Sequence, residues 1–283
     1  MRVSNNIHEV RQIRWQNPAA TWGLVPTMGY LHEGHISLVE RARAENEFTA
    51  VTIYVNPTQF APTEDLSSYP RDLPRDLALL EAAGTDLVFT PDDTIMYPPG
   101  FQTYVTVEEV TRRLEGASRP THFRGVATVV AKLFNILQPT RAYFGQKDYQ
   151  QTAVLRQMVA DLNFNLEMVV CPTVREADGL AMSSRNKYLD PAQRAAATIL
   201  SRALAAGAAA LNDGARDATE LRALMQAMIT AEPLARLDYL SVAHPGTLVE
   251  LDEVQEAAVL STAVFFGRTR LIDNMLWQLT IDD

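Results

Sequence analysis

Two of the five histidines in this chain fall within four residues of each other, in the string His32-Glu33-Gly34-His35. The string follows Pro26-Thr27-Met28-Gly29, which closes a short apolar run, and it opens a helical pattern that continues to Glu45. A helix N-terminus offers backbone N–H groups and the positive end of the helix dipole, so this placement suits an anion such as a phosphate. Gly29 and Gly34 let the backbone approach such a ligand closely. The same pair can also be read as two surface or capping histidines. A zinc reading arises because the string is close to His-Glu-x-x-His, but it is one residue short and no third ligand accompanies it, so no metal ligand is assigned.

Three further strings carry chemistry. Met182-Ser183-Ser184-Arg185-Asn186, preceded by Asp178-Gly179, puts two hydroxyls and a guanidinium on a glycine-containing loop, a set that can hold phosphate oxygens and stabilise charge on them. Alone it would also fit a serine-rich turn. Gly145-Gln146-Lys147-Asp148-Tyr149-Gln150-Gln151 stands just past a predicted strand ending at Phe144, where an open α/β sheet places its ligands. Its plain alternative is a helix start with Asp148 in the first turn. Val55-Asn56-Pro57-Thr58-Gln59-Phe60 occupies another strand end. Only Lys132, Lys147 and Lys187 are lysines among 25 basic residues, so a lysine inside a motif hints that a compact ammonium is wanted there.

The elements that must carry these strings alternate in kind. Thr21–Val25 (closed by Pro26), Phe48–Val55, Asp86–Thr90, Thr103–Val107, Arg141–Phe144 and Leu166–Cys171 read as strands. His35–Glu45, Pro74–Ala83, Val126–Leu137 and Tyr149–Leu162 read as helices between them. Continuous apolar strands alternating with helices predict an α/β fold, a parallel sheet covered on both faces. After Val174 the pattern changes to an alanine-rich helix over Pro191–Leu211, a second helix over Asp217–Ala231, and short strands at Leu237–Ala243, Ala257–Phe266 and Arg270–Asp273. That predicts a smaller C-terminal α+β domain over 175–283, closing over the site of a nucleotide-binding domain at 1–174.

Composition narrows the function. With 283 residues, 47% hydrophobic and 21% charged, the chain has the make-up of a globular protein with a sizeable core. A formal charge of −9 and a pI near 5.1 argue against nucleic-acid binding through a broad basic face. One cysteine, Cys171, permits no intrachain disulfide and fits a reducing compartment. The polar start Met1-Arg2-Val3-Ser4 does not read as a signal peptide, and the apolar stretch Ile199–Leu211 is too short for a membrane span, so a cytoplasmic protein is expected.

In this order, the four strings resemble the pantothenate synthetases (pantoate–β-alanine ligases) of the nucleotidylyl-transferase superfamily. Matching blocks include Val25-Pro26-Thr27-Met28-Gly29, Tyr69-Pro70-Arg71, Leu114 to Pro120, His122-Phe123-Arg124-Gly125, Ala181 to Leu189 and Arg270 to Asn274, nearly the whole chain. Gln146 departs from the glutamate expected in many relatives. The resemblance implies a Rossmann-like sheet and a two-step ligation. Pantoate is first adenylated by ATP, and β-alanine then displaces AMP to give pantothenate. It also implies an ATP site lined by Thr27, Met28, Gly29, Tyr30, Leu31, His32, Glu33, Gly34 and His35, by Gly145, Gln146, Lys147 and Asp148, and by Val174, Met182, Ser183, Ser184 and Arg185. His35 (as proton donor), His32, Lys147, Arg185, Ser183 and Ser184 are the implied catalytic residues, and Gln59 and Gln151 the substrate-binding glutamines. Mg²⁺ as cofactor and a homodimer are implied by the family alone. The competing readings are a nucleotidyltransferase that leaves the nucleotide on its product, a non-catalytic nucleotide-binding module, and an aminoacyl-tRNA synthetase, for which this acidic chain has no basic appendage.

Overall fold

Strands that lack polar alternation need cover on two sides, and parallel pairing with helical crossovers supplies it. The computed structural model of the chain describes residues 1–61 and 66–279. Six strands, β1 (Arg2–Ser4), β2 (Trp22–Thr27), β3 (Phe48–Ile53), β4 (Leu87–Phe89), β5 (Arg141–Gly145) and β6 (Glu167–Cys171), form one sheet in the order β1-β4-β3-β2-β5-β6. Every pairing in it is parallel. The crossovers carry helices α1 (Ile7–Arg14), α2 (Glu33–Glu45), α3 (Leu73–Ala82), α4 (Asp93–Met96), α5 (Glu115–Ser118), α6 (His122–Leu137) and α7 (Tyr149–Asp161). Their starts are chemically marked: Asn6 accepts from the N–H of His8 and Glu9, and Asp72 from that of Arg75 just ahead of Pro74. Val25, Val51, Val88 and Tyr143 of the sheet pack with Leu38, Val39 and Leu80 of α2 and α3.

The remaining strands, β7 (Ala235–Ala243), β8 (Ala257–Phe266) and β9 (Thr269–Gln278), make a separate antiparallel sheet ordered β7-β8-β9. Helices α8 (Pro191–Ala196), α9 (Ile199–Asn212) and α10 (Ala218–Thr230) accompany it, and Leu200, Leu204, Leu221, Met225 and Ile229 share a core with Val242, Leu260, Val264 and Phe266. The α/β architecture with a smaller α+β part is the one expected from the residue pattern. The chain divides into a first unit, Met1–Gly145 with Val154–Pro172, and a second, Gln146–Ala153 with Thr173–Asp283. This differs from one cut after Val174, because Gln146–Ala153 groups with the second unit.

Four expectations need correction. Pro26 does not close β2, which runs on to Thr27; the β2–β5 pairing stops at Leu24, so a proline beyond it faces fewer ladder demands. Thr103–Val107 joins no sheet; its β-branched residues fit a strand, but the Val105 N–H goes to the Thr128 hydroxyl (3.0 Å) of α6 instead of a neighbouring strand. The alanine-rich helix is broken at Ala197–Thr198 into α8 and α9. Together Pro191–Asn212 spans 22 residues at mean hydropathy 1.2, long and apolar enough to cross a membrane by length and composition, unlike the shorter stretch Ile199–Leu211 within it. Its residues Leu200, Ala203, Leu204 and Leu211 are fully buried in the second unit's core, as in a core helix. Finally, the strand expected at Arg270–Asp273 extends to Gln278, because the polar pair Asp273 and Asn274 is buried inside the strand and does not end it.

Cys171 lies at the end of β6, and burial pushes its thiol above the usual range. The native protein should therefore resist iodoacetamide at pH 8, and react within minutes once unfolded in urea. Rapid stoichiometric labelling of the native chain, followed by intact-mass spectrometry, would contradict this placement.

Candidate active site

The histidine string sits where the sequence places it, between the end of β2 and the first turn of α2, with His32 as the helix N-cap. The turn before it takes two consecutive left-handed residues, Gly29 (φ 81°) and Tyr30 (φ 52°). Such a conformation costs a non-glycine residue about 1–2 kcal/mol, so something must hold Tyr30 there. Asp76 of α3 does so, its carboxylate accepting the N–H of Tyr30 (2.7 Å) and of Leu31 (2.8 Å) while 1% exposed. Its neighbour Arg75 donates to the Leu31 carbonyl (2.9 Å) and lays its guanidinium over the Tyr30 ring. A Cβ on Gly29 would come within 3.1 Å of the same carboxylate. Thr27 braces the strand end, donating to the Thr52 carbonyl (2.7 Å) and accepting from the Gly29 N–H (3.2 Å).

The His32 and His35 rings stand 4.1 Å apart between centroids. The His32 backbone N–H donates to His35 Nδ1 (3.3 Å). A backbone N–H can only donate, so Nδ1 is the accepting nitrogen, and the proton of the neutral ring sits on Nε2. That is the tautomer a proton donor to a ligand requires. Of the remaining residues in the string, Met28, Gly34 and both histidines are half-buried, Leu31 is buried and Glu33 is exposed.

Gln59 lies in a turn after β3 and is buried, at 9% exposure. Its amide orientation is determined by its neighbours. Asn56 Nδ2 donates to the Gly125 carbonyl (3.2 Å) and to Gln59 Oε1 (3.1 Å), while Asn56 Oδ1 accepts from the Thr58 N–H (3.3 Å) and the Tyr97 hydroxyl (2.8 Å). Gln59 Oε1 is thereby turned inward, and Nε2 turns toward Met28 Sδ (2.9 Å), joining the second strand-end string to the first. His122 Nδ1 lies 2.8 Å from the Gln59 carbonyl. Gly125 permits this packing: a Cβ there would stand 2.4 Å from the Thr58 carbonyl oxygen.

In the second unit, Gln146–Asp148 forms a 3₁₀ turn leading into α7. The Lys147 side chain is 22% exposed, and its Nζ lies 3.6 Å from Asp148 Oδ1. Gln151 is half-buried, whereas its neighbour Gln150 is buried. Val174 and Met182 face each other across a small hairpin: Met182 N–H donates to the Val174 carbonyl (3.0 Å), Arg175 bridges to Ala181, and Gly179 (φ 92°) makes the tip. Arg194 binds the hairpin carboxylates of Asp178 (2.7 Å) and Glu176 (2.6 Å), and this pairing holds the Asp178 carboxyl below its ordinary range. Beyond the hairpin, Ser183 caps the 3₁₀ turn Ser184–Tyr188, its hydroxyl accepting from the Arg185 N–H (3.2 Å). Asn186 ties the turn back to Glu176 (2.8 Å) and to the Ala181 carbonyl (3.1 Å). Among the described residues, no three of His, Cys, Asp and Glu are gathered as a metal site.

Asp76, Asn56, Tyr97, Arg175 and Asn274 were not singled out as site residues from the sequence. The acidic residue in the first turn of α3 gave the only local hint of Asp76, and nothing local marks Tyr97.

Comparison with known proteins points to one family. The family profile described as pantoate-beta-alanine ligase matches residues 2–276. A pantothenate synthetase of Roseiflexus sp. (strain RS-1) is 62% identical over 274 residues, covering 97% of this chain and 98% of that protein. The crystal structure of pantothenate synthetase from Thermus thermophilus superposes with a TM-score of 0.93 at 50% identity, covering 97% of this chain and 99% of that one. A pantoate-beta-alanine ligase from Francisella tularensis, solved with β,γ ATP and β-alanine, superposes with a TM-score of 0.80 at 35% identity over 98% of this chain and 97% of that one.

Asp76 gives the sharpest test of this geometry. Asp76→Asn replaces one accepting oxygen with a donor facing a backbone N–H, which should lower the unfolding free energy in urea by about 1.5–3 kcal/mol. Hydrogen exchange at the Tyr30 and Leu31 amides should accelerate more than at β2. Unchanged protection of both amides would contradict the clamp.

Proposed function

Because this chain belongs to the pantoate–β-alanine ligase family, it is an enzyme that joins pantoate to β-alanine using ATP, and we propose that it does so through a pantoyl-adenylate intermediate. In the first step a carboxylate oxygen of (R)-pantoate attacks the α-phosphorus of ATP. The new P–O bond forms as the bond to the bridging oxygen breaks, and pyrophosphate leaves. In the second step the amine of β-alanine attacks the acyl carbon, the C–N bond forms, and the C–O bond to AMP breaks. The β-alanine ammonium gives up two of its three protons to solvent, the third remaining as the amide N–H, and pantothenate and AMP depart.

A carboxylate is ionised at pH 7, so the first step needs positioning and charge stabilisation more than a base. The observation that carries the reading is the histidine pair at the N-terminus of α2, directly past a strand end, with His35 Nε2 as the donor atom. We assign the phosphates of ATP to that helix end, to His32 and His35, to Lys147, and to Ser183, Ser184 and Arg185. The backbone from Thr27 to Gly34, the turn Gly145–Asp148, and Val174 with Met182 complete the proposed nucleotide contacts. Gln59 is assigned to pantoate, to which the second hydrogen of its Nε2, beside the one directed at Met28 Sδ, would be the donor for a carboxylate or hydroxyl oxygen. Gln151 is assigned to the same substrate.

No three of His, Cys, Asp and Glu are gathered among the described residues, so no protein ligand is assigned to Mg²⁺. Mg²⁺ is proposed as a counterion carried by the nucleotide's own phosphates. A cytoplasmic homodimer working on small molecules, without nucleic acid or membrane, completes the proposal. A nucleotidyltransferase that leaves AMP on its product is not favoured, because the family match runs through residue 276.

Two outcomes follow. With ATP, pantoate and Mg²⁺ but no β-alanine, the enzyme should exchange labelled pyrophosphate into ATP, and exchange should cease when Mg²⁺ is chelated. Lack of exchange despite full ligase activity would count against a separate adenylation step. Lys147→Ala should cut the exchange rate by roughly a hundredfold, on the scale of losing one well-placed donor, with little change in melting temperature. Lys187→Ala, on an exposed side chain of the same small unit, should leave the rate near the parental value. Lys132→Ala is a poorer control than its sequence suggests, because Lys132 Nζ sits 4.6 Å over the Phe101 ring. Near-parental exchange in Lys147→Ala would remove the lysine from the mechanism.

A further inference from the structure

We propose that Asn274 is a positioning residue for the adenylation step, setting the backbone that carries Lys147. The inference rests on the assignment of Lys147 made above. Asn274 is 3% exposed in the middle of β9, paired with Ser261 of β8, in a strand otherwise built for a core. Both hydrogens of its Nδ2 are spent on main-chain carbonyls, those of Gln146 (2.9 Å) and Lys147 (2.8 Å). Carbonyl oxygens can only accept, so the amide has one possible orientation. Its Oδ1 then meets Gln146 Nε2 (3.4 Å), a donor that the glutamate expected at position 146 would lack when ionised.

Asn274 and its neighbour Asp273 also tie the strand to the hairpin that leads to Ser183–Arg185. Asn274 N–H donates to Asp273 Oδ1 (2.8 Å), and the Asp273 carboxylate grips Arg175 through Nη1 (2.7 Å) and Nη2 (3.0 Å). Arg175 Nη2 also reaches the Asn274 carbonyl (3.4 Å), and Nη1 reaches the Gly179 carbonyl (3.0 Å) at the tip of the hairpin. That hairpin delivers the chain to Ser183–Arg185. Adjacent residues of one strand therefore hold the Lys147 turn and, through Arg175, the hairpin that precedes the loop of hydroxyls and guanidinium. A purely structural polar pair would need no such division. The two hydrogens of one amide nitrogen satisfy both carbonyls, whereas serine leaves one and alanine both to find other partners.

The test is a double-mutant cycle in the full-length chain, read by pyrophosphate exchange. Asn274→Ala should lower the exchange rate about ten- to hundredfold, the range expected when a reacting group is displaced by a fraction of an ångström to one ångström. The loss should fall mainly on kcat for exchange, and the KM for pantoate, assigned to Gln59 of the first unit and to Gln151 on α7, should change by less. In the Lys147→Ala background the same substitution should cost less than about twofold, since the group it positions is gone. Asn274→Ser, which keeps one donor, should fall between parent and alanine, and it replaces the alanine variant in the cycle if circular dichroism shows that variant unfolded. Multiplicative losses in both backgrounds would overturn the inference and leave Asn274 a structural residue. Parental exchange in Lys147→Ala alone would instead sink the Lys147 assignment, and this inference with it.

Discussion

The structure depends first on parallel pairing around β2. Trp22 pairs with Phe48 on one side and Gly23 with Arg141 on the other, so β2, β3 and β5 run together and end on one edge. Parallel neighbours are about 4.8 Å apart, so what leaves one strand end emerges beside what leaves the next. The Thr27 hydroxyl bonded to the Thr52 carbonyl and the Gln59 amide against Met28 sulfur are the direct result. No crossover helix could place these side chains together without that register. Burial of Leu24, Val25, Val51 and Val88 holds the register, since each is fully enclosed.

On that frame the site is built from polar groups buried at a cost. Asp76, Asn56 and Gln59 in the first unit, and Asp273 and Asn274 in the second, are each less than one-tenth exposed. An unpartnered group of this kind would cost about 1–3 kcal/mol. Each carboxylate or amide is therefore matched to partners whose direction is fixed, such as the backbone N–H donors on Asp76 and the carbonyl acceptors of the Asn56 and Asn274 amides. The result is rigidity at the histidine turn and the Lys147 turn, the two places to which the proposed mechanism assigns the phosphates. Breaking one partner is expected to be more harmful than replacing both, the usual asymmetry of buried polar pairs.

Much of this was legible in the residues, and the legible part is local. Apolar runs such as Phe48–Ile53, helix openers such as Asp72 ahead of Pro74, and strand-end strings rich in Gly, His and Lys each carry their signal within a few residues. The misreadings share one cause. Thr103–Val107 has strand composition but no neighbour to pair with, and Arg270–Asp273 was cut short because a buried Asp-Asn pair resembles a strand end. Likewise the positioning residues act across long separations: Asp76 reaches 45 residues to Leu31, and Asn274 reaches 127 to Lys147. No period or spacing encodes such contacts. Gln59 is the intermediate case: its family likeness marks it, and only the Asn56 network shows how its amide is oriented.

The central claim is that the pantoate carboxylate itself attacks the α-phosphorus. Pantoate labelled with ¹⁸O in both carboxylate oxygens, turned over with ATP and β-alanine, tests this directly by mass spectrometry of the AMP. Adenylation predicts one ¹⁸O atom in the phosphate of every AMP released, and one remaining in the new amide carbonyl. AMP free of label, with the isotope in inorganic phosphate or pyrophosphate, would contradict the account.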